Sequence, residues 1–213
     1  MDADGDGKVS MAEVVSFSDG MRGVLAHKDA PTLFGELDTN KDGQLSLDEV
    51  LADMRSLADE TERFREEVER EKFKAADRNK DGILDVTEVP GFVYPETNAE
   101  VLDLVARASL TRQDADGDGR LSPREFQEGA SEDALADFRV LDADSDGALS
   151  LDELKQWESG RYHTMDTMRR LFEVADKNGD AHLTAEELDA VRGGVAESDA
   201  HYHLAEWAEH HEL

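Results

Sequence analysis

A twelve-residue pattern recurs six times along this 213-residue chain, and it constrains the fold more than any other feature of the sequence. It reads DADGDGKVSMAE from Asp2, DTNKDGQLSLDE from Asp38 and DRNKDGILDVTE from Asp77. It reads DADGDGRLSPRE from Asp114, DADSDGALSLDE from Asp142 and DKNGDAHLTAEE from Asp176. Each copy puts aspartate first, aspartate or asparagine third, aspartate fifth, an aliphatic residue eighth and glutamate twelfth. Five copies have glycine sixth, and the last has Ala181. The starts lie 36, 39, 37, 28 and 34 residues apart, which suits two helices and a loop in every repeat.

Oxygens at alternate positions, a sharp turn midway and a closing glutamate make a cage for a hard cation that takes six to eight oxygen ligands. The bidentate glutamate favours calcium over magnesium, which demands a tighter octahedron. This is the EF-hand loop. The candidate ligands are Asp2, Asp4, Asp6, Lys8, Ser10 and Glu13 in loop 1, and Asp38, Asn40, Asp42, Gln44, Ser46 and Glu49 in loop 2. Loop 3 offers Asp77, Asn79, Asp81, Ile83, Asp85 and Glu88, and loop 4 offers Asp114, Asp116, Asp118, Arg120, Ser122 and Glu125. Loop 5 offers Asp142, Asp144, Asp146, Ala148, Ser150 and Glu153, and loop 6 offers Asp176, Asn178, Asp180, His182, Thr184 and Glu187. The residue at loop position seven, fourth in each set, contributes only its backbone carbonyl. Loop 6 is expected to be weaker, because Ala181 stands where glycine allows a positive φ. Loop 1 is expected to be weaker because no entering helix precedes Asp2.

The flanks imply helices. Phe34, Phe73, Leu110, Phe138 and Phe172 stand four residues before loops 2 to 6, and Val14, Val50, Val89, Phe126, Leu154 and Leu188 follow the six loops directly. That spacing directs them into a core rather than a cofactor site. The eighth residues, Val9, Leu45, Leu84, Leu121, Leu149 and Leu183, suit short two-residue β bridges between paired loops. The expected fold is all-α, six helix–loop–helix units in three pairs, with sequence neighbours as partners. Residues 1–60 would hold hands 1 and 2, residues 61–130 hands 3 and 4, and residues 131–213 hands 5 and 6 with a tail. The charged stretch 52–76 between loops 2 and 3 reads as a solvated helix braced by Glu66 and Arg70.

Charge narrows the partners. Asp and Glu number 52 against 23 Lys and Arg, a formal net of −29. Such a surface repels nucleic acid and anionic lipid and attracts cations. Of the acids, 22 occupy ligand positions, and six calcium ions would bring the charge to −17. Folding is therefore expected to couple to calcium. Cysteine is absent, which removes disulfides, thiolate catalysis and cysteine zinc sites. No apolar run reaches membrane-spanning length. No nucleophile–base pairing, phosphate loop or dinucleotide fingerprint points to an enzyme. His201, His203, His210 and His211 lack metal-ligand spacing. A cytosolic sensor that opens onto target proteins is the alternative, but such sensors favour methionine-rich surfaces, and of the six methionines only Met165 and Met168 lie close together.

The segment EREKFKAADRNKDGILDVTEVPGFVYPET from Glu69, with its FVYPE element at Phe92–Glu96, resembles the third hand of the calumenin–reticulocalbin family, and the hand at Asp114 resembles the fourth. The HHEL ending is similar to that family's endoplasmic-reticulum retrieval tails, with His211 where aspartate is usual. The resemblance implies a low-affinity, high-capacity calcium binder of the secretory-pathway lumen that contacts client proteins. The alternative sensor would be cytoplasmic. No signal peptide follows Met1, so the expectation is an incomplete or processed form of a longer precursor. Loops 4 and 5 are separated by only 16 residues, which is expected to crowd the second pair against the third.

Overall fold

In the computed structural model the described residues are 1–52, 60–126 and 132–195. The four tail histidines, the HHEL ending and part of the 52–76 stretch lie outside them. The described residues are mostly helical, as the repeat predicts. The elements run β1 (Lys8–Ser10), α1 (Met11–Leu37), β2 (Leu45–Ser46), α2 (Leu47–Val50), α3 (Glu60–Ala76), β3 (Ile83–Leu84), α4 (Val89–Val93), α5 (Ala99–Gln113), α6 (Glu132–Leu141), α7 (Leu151–Glu158), α8 (Arg161–Ala175), β4 (His182–Thr184) and α9 (Ala185–Val195). A 3-10 turn at Pro95–Thr97 joins α4 to α5.

The eighth loop residues do form the bridges, but their partners are not sequence neighbours. Val9 of β1 faces Leu183 of β4, Leu45 of β2 faces Leu84 of β3, and Leu121 faces Leu149. The hands thus pair first with sixth, second with third and fourth with fifth. The cause is α1. Its 27 residues form one helix that leaves loop 1 and enters loop 2, so the chain has no place to fold back and lay one loop against the next. Gly20, Gly23, Gly35 and Pro31 all fall within it without ending it. The pairing of 1 with 2, 3 with 4 and 5 with 6 is therefore corrected. The short gap between loops 4 and 5 reflects partners within one pair, not crowding of two pairs.

The contacts divide the chain into two compact units, one of residues 1–22 with 161–213 and the other of residues 23–160. In the first, Val14, Met168, Leu171, Ala175 and Leu183 are buried under the β1–β4 bridge. Arg161 grips the Asp19 carboxylate with two hydrogen bonds, of 2.9 Å from Nε and 2.6 Å from Nη2, and Arg22 Nη2 donates to Thr164 Oγ1 at 2.7 Å. Two polar clasps thereby tie α1 to α8.

In the second unit, Leu45, Phe73, Leu84, Val89, Phe92 and Val101 form one core beneath the β2–β3 bridge. Phe73 and Phe92 meet edge to face at 6.3 Å, with Lys72 Nζ 4.8 Å from the Phe92 ring centre. The FVYPE element works structurally here. Pro95 ends α4 early, and Asn98 caps α5 while its Nδ2 donates to Ala75 O at 3.2 Å, tying the turn to the end of α3. Beneath the Leu121–Leu149 bridge, Phe126 packs edge-on against Phe138 at 6.1 Å and Trp157 at 5.3 Å. Phe126 is 1% exposed, and emptying such a site costs about 3–5 kcal/mol. Glu66 and Arg70 of α3 pair at 2.6 Å as expected.

The flanking positions divide by depth. Phe73, Phe138, Val14, Val89, Phe126 and Leu154 are buried, whereas Phe34, Leu110, Phe172, Val50 and Leu188 are half-buried. In hand 2, Leu51 rather than Val50 is fully enclosed.

Candidate calcium loops

Loops 2 to 6 each begin on the last hydrogen bond of the entering helix. Asp38 N donates to Phe34 O, Asp77 N to Phe73 O, Asp114 N to Leu110 O, Asp142 N to Phe138 O and Asp176 N to Phe172 O, at 2.8 to 3.0 Å. The residue four before the loop is therefore both core anchor and final acceptor, which explains its fixed spacing. From there the first aspartate is turned inward by amides further on. In loop 4, Asp114 Oδ1 accepts from Gly117 N and Asp118 N, and Oδ2 accepts from Gly119 N at 2.8 Å.

Two residues of each loop adopt left-handed backbone, the fourth and the sixth. The fourth are Gly5, Lys41, Lys80, Gly117, Ser145 and Gly179, with φ from 58° to 78°. The sixth are Gly7, Gly43, Gly82, Gly119 and Gly147, with φ from 79° to 87°, and Ala181, at 61°. Gly179 therefore does not relocate the turn of loop 6, and Ala181 carries the strained conformation itself. A Cβ at the sixth-position glycines would meet nothing within 4 Å, so the alanine's cost lies wholly in the backbone. Ala181→Gly is expected to stabilise the calcium-loaded chain by about 1 kcal/mol, and Gly119→Ala to destabilise it by a similar amount; urea unfolding measures both.

The glutamate at position twelve closes the ring. In loop 4, Glu125 Oε1 accepts from Ala115 N at 3.0 Å, and Oε2 accepts from Ser122 N at 2.8 Å and Ser122 Oγ at 2.7 Å. The same arrangement joins Glu13 to Ala3 and Ser10, Glu153 to Ala143 and Ser150, and Glu187 to Lys177 and Thr184. Ser46 with Glu49 and Ser150 with Glu153 form full capping boxes on α2 and α7. The ninth residue thus caps the exiting helix and orients the closing carboxylate, a role that a reading as a ligand alone does not reveal. Asp85, ninth in loop 3, accepts from Thr87 and from the Glu88 amide and donates its own amide to Glu88 Oε2, without capping α4.

These donors favour the ionised form of Glu13, Glu49, Glu125 and Glu187. The Ser10 amide, then its hydroxyl, lowers Glu13 to about 2, and the Ser46 amide and hydroxyl lower Glu49 to about 2. The Ser122 hydroxyl and amide lower Glu125, and the Thr184 amide and hydroxyl lower Glu187. A depressed carboxylate contributes its stability above the ordinary carboxylate range and loses it as pH falls toward the lowered value. Protons therefore compete for Glu13 and Glu49 only in strong acid.

Three loops bring three carboxylates to within 4.8 Å of one another: Asp2, Asp4 and Glu13; Asp114, Asp116 and Asp118; Asp142, Asp144 and Glu153. Like charges this close are unfavourable unless a cation sits among them. In loops 2, 3 and 6 the third residue is Asn40, Asn79 or Asn178, whose Oδ1 accepts from the fifth residue's amide as the aspartate does elsewhere. A hard, oxygen-preferring ion of calcium's size fits both variants. Two contacts were not foreseen: Lys8 and Arg120, expected to offer only backbone, extend their side chains to Asp180 and Asp146 of the partner loop. The signal was a cation at position seven.

The chain matches the EF-hand domain pair model over residues 1–55 and the EF hand model over residues 71–89, 113–130 and 135–156. It is 30% identical over 128 residues to polcalcin Cup a 4 of Hesperocyparis arizonica, covering 57% of this chain and 77% of that protein. The chain belongs to the EF-hand family. It is 28% identical over 216 residues to reticulocalbin-2 of Crotalus adamanteus, covering 88% of this chain and 71% of that protein. It is 26% identical over 210 residues to the 45 kDa calcium-binding protein of Xenopus tropicalis, covering 88% of this chain but 53%, about half, of that protein's length. It is a calcium-binding EF-hand protein related to the reticulocalbins. Among the described residues no helix is long and apolar enough to cross a membrane.

Proposed function

We propose that this chain is a low-affinity, high-capacity calcium buffer of the endoplasmic-reticulum lumen. Its ligands are the residues at positions one, three, five, seven, nine and twelve of the six loops, from Asp2 through Glu187. The observation that carries the reading is the repetition of one inward-turned oxygen arrangement in all six loops of a chain with a net charge of −29. Capacity, rather than a single switch, is what such repetition supplies. Kinship with the reticulocalbins supports the lumenal placement, and contact with client proteins follows from the family resemblance.

Calorimetric titration of the full chain tests the proposal. Four or more sites with dissociation constants of about 10⁻⁴–10⁻³ M agree with it. Micromolar sites, with calcium-dependent binding of an apolar dye, would point instead to a sensor that opens onto targets.

A further inference from the structure

In two of the three loop pairs, one loop's side chain holds ligand oxygens of the other. Arg120, seventh in loop 4, sets Nη2 at 2.5 Å from Asp146 Oδ2 and donates to Ala148 O at 3.1 Å. Those oxygens belong to the fifth and seventh positions of loop 5. Asp146 Oδ1 also accepts from Ala148 N at 3.0 Å, so both oxygens of this proposed ligand are engaged within the loop pair. Lys8, seventh in loop 1, does the same in loop 6. Its Nζ lies 2.6 Å from Asp180 Oδ2, while Asp180 Oδ1 accepts from His182 N at 3.0 Å.

The arrangement runs in one direction. The residue returning from loop 5 is Ala148, and His182 of loop 6 turns Nδ1 to Asp180 O of its own loop at 2.8 Å. In the pair of loops 2 and 3 the seventh residues are Gln44 and Ile83, without charge. Arg120 Nε is buried without a hydrogen-bond partner, so the side chain gains solvation when it swings away. The Arg120 contact also holds Asp146 below its usual range, as Lys8 does Asp180.

We propose that Arg120 and Lys8 are tethered competitors of calcium, each occupying a carboxylate oxygen of a proposed ligand in its partner loop and making loops 5 and 6 the weaker, later-filling members of their pairs. A divalent ion must displace the resident cation or bind beside it, and either lowers affinity. The same contact gives a covalently uniform chain a graded set of sites. The inference rests on the proposed ligands of loops 5 and 6.

The test is a calcium titration of the isotopically labelled full chain by NMR, following the amides of Gly147, Ala181, Gly43 and Gly82. Gly147 and Ala181 donate to the first aspartates of loops 5 and 6. Arg120→Gln is expected to move the Gly147 midpoint to about 3- to 10-fold lower calcium and to leave Gly43 and Gly82 in place. Lys8→Gln should do the same for Ala181 in the other pair. With chelator present, neither variant should melt higher than the parent, which separates lost competition from general stabilisation. Unchanged or higher midpoints for both variants would overturn the proposal, because an arginine that merely braces the pair would weaken binding when removed. A parent chain whose Gly147 ignores calcium refutes the ligand assignment of loop 5 and this inference with it.

Discussion

Calcium at ten times the dissociation constant is expected to raise the melting midpoint of the chelated protein by about 12–24 °C. At that excess each site adds about 1.4 kcal/mol. Loops 2 to 5 all lie in the unit of residues 23–160, so that unit receives about 6 kcal/mol from four sites. A domain of this size shifts by about 2–4 °C for each kcal/mol. The physical source is the crowding of carboxylates within 4.8 Å in loops 4 and 5, which is unfavourable in the bare chain and favourable around a divalent ion. Circular dichroism at 222 nm during heating measures it. A midpoint that moves by less than about 3 °C would mean the loops bind too weakly, or are too well formed without calcium, for folding to be coupled to the ion.

What could be read from residues alone was local. The eighth-position aliphatics found their bridges, the phenylalanines found their helix ends, and Ala181 took the positive φ that its place in the pattern demanded. Each of these is fixed within a dozen residues by hydrogen bonds and sterics. Partner choice is different, because it depends on whether the segment between two loops bends. Residues 14–37 contain three glycines and a proline, composition that ordinarily marks a break, yet they form a single helix. Pro31 fixes φ near the helical value and costs one backbone hydrogen bond, a loss one long helix can absorb. The 28-residue step from Asp114 to Asp142 was the available cue, since a short connection favours adjacent partners. The cross-loop reach of Lys8 and Arg120 was hidden for the same reason: a long side chain's partner depends on which loop lies opposite.

The corrected pairing has its own expected result. Glu125→Gln should weaken calcium at loop 4 by about 100-fold and at loop 5 by about 5-fold, while leaving loop 3 unaffected. Glu125 receives the Ala115 and Asp116 amides on Oε1 and the Ser122 amide and hydroxyl on Oε2. Glutamine presents an NH2 group to donors already converging there and removes the charge, a loss of about 3 kcal/mol. Loop 5 feels it through the two hydrogen bonds of the bridge, Leu121 N to Leu149 O at 3.0 Å and Leu149 N to Leu121 O at 2.8 Å. Those bonds hold the eighth residue of each loop beside the ion-facing seventh, so a slack loop 4 leaves loop 5 without its backing. The amides of Gly147 in loop 5 and Gly82 in loop 3 report the outcome separately. If Gly82 shifts its midpoint and Gly147 does not, hands 3 and 4 are the true partners and the fourth-with-fifth pairing is wrong.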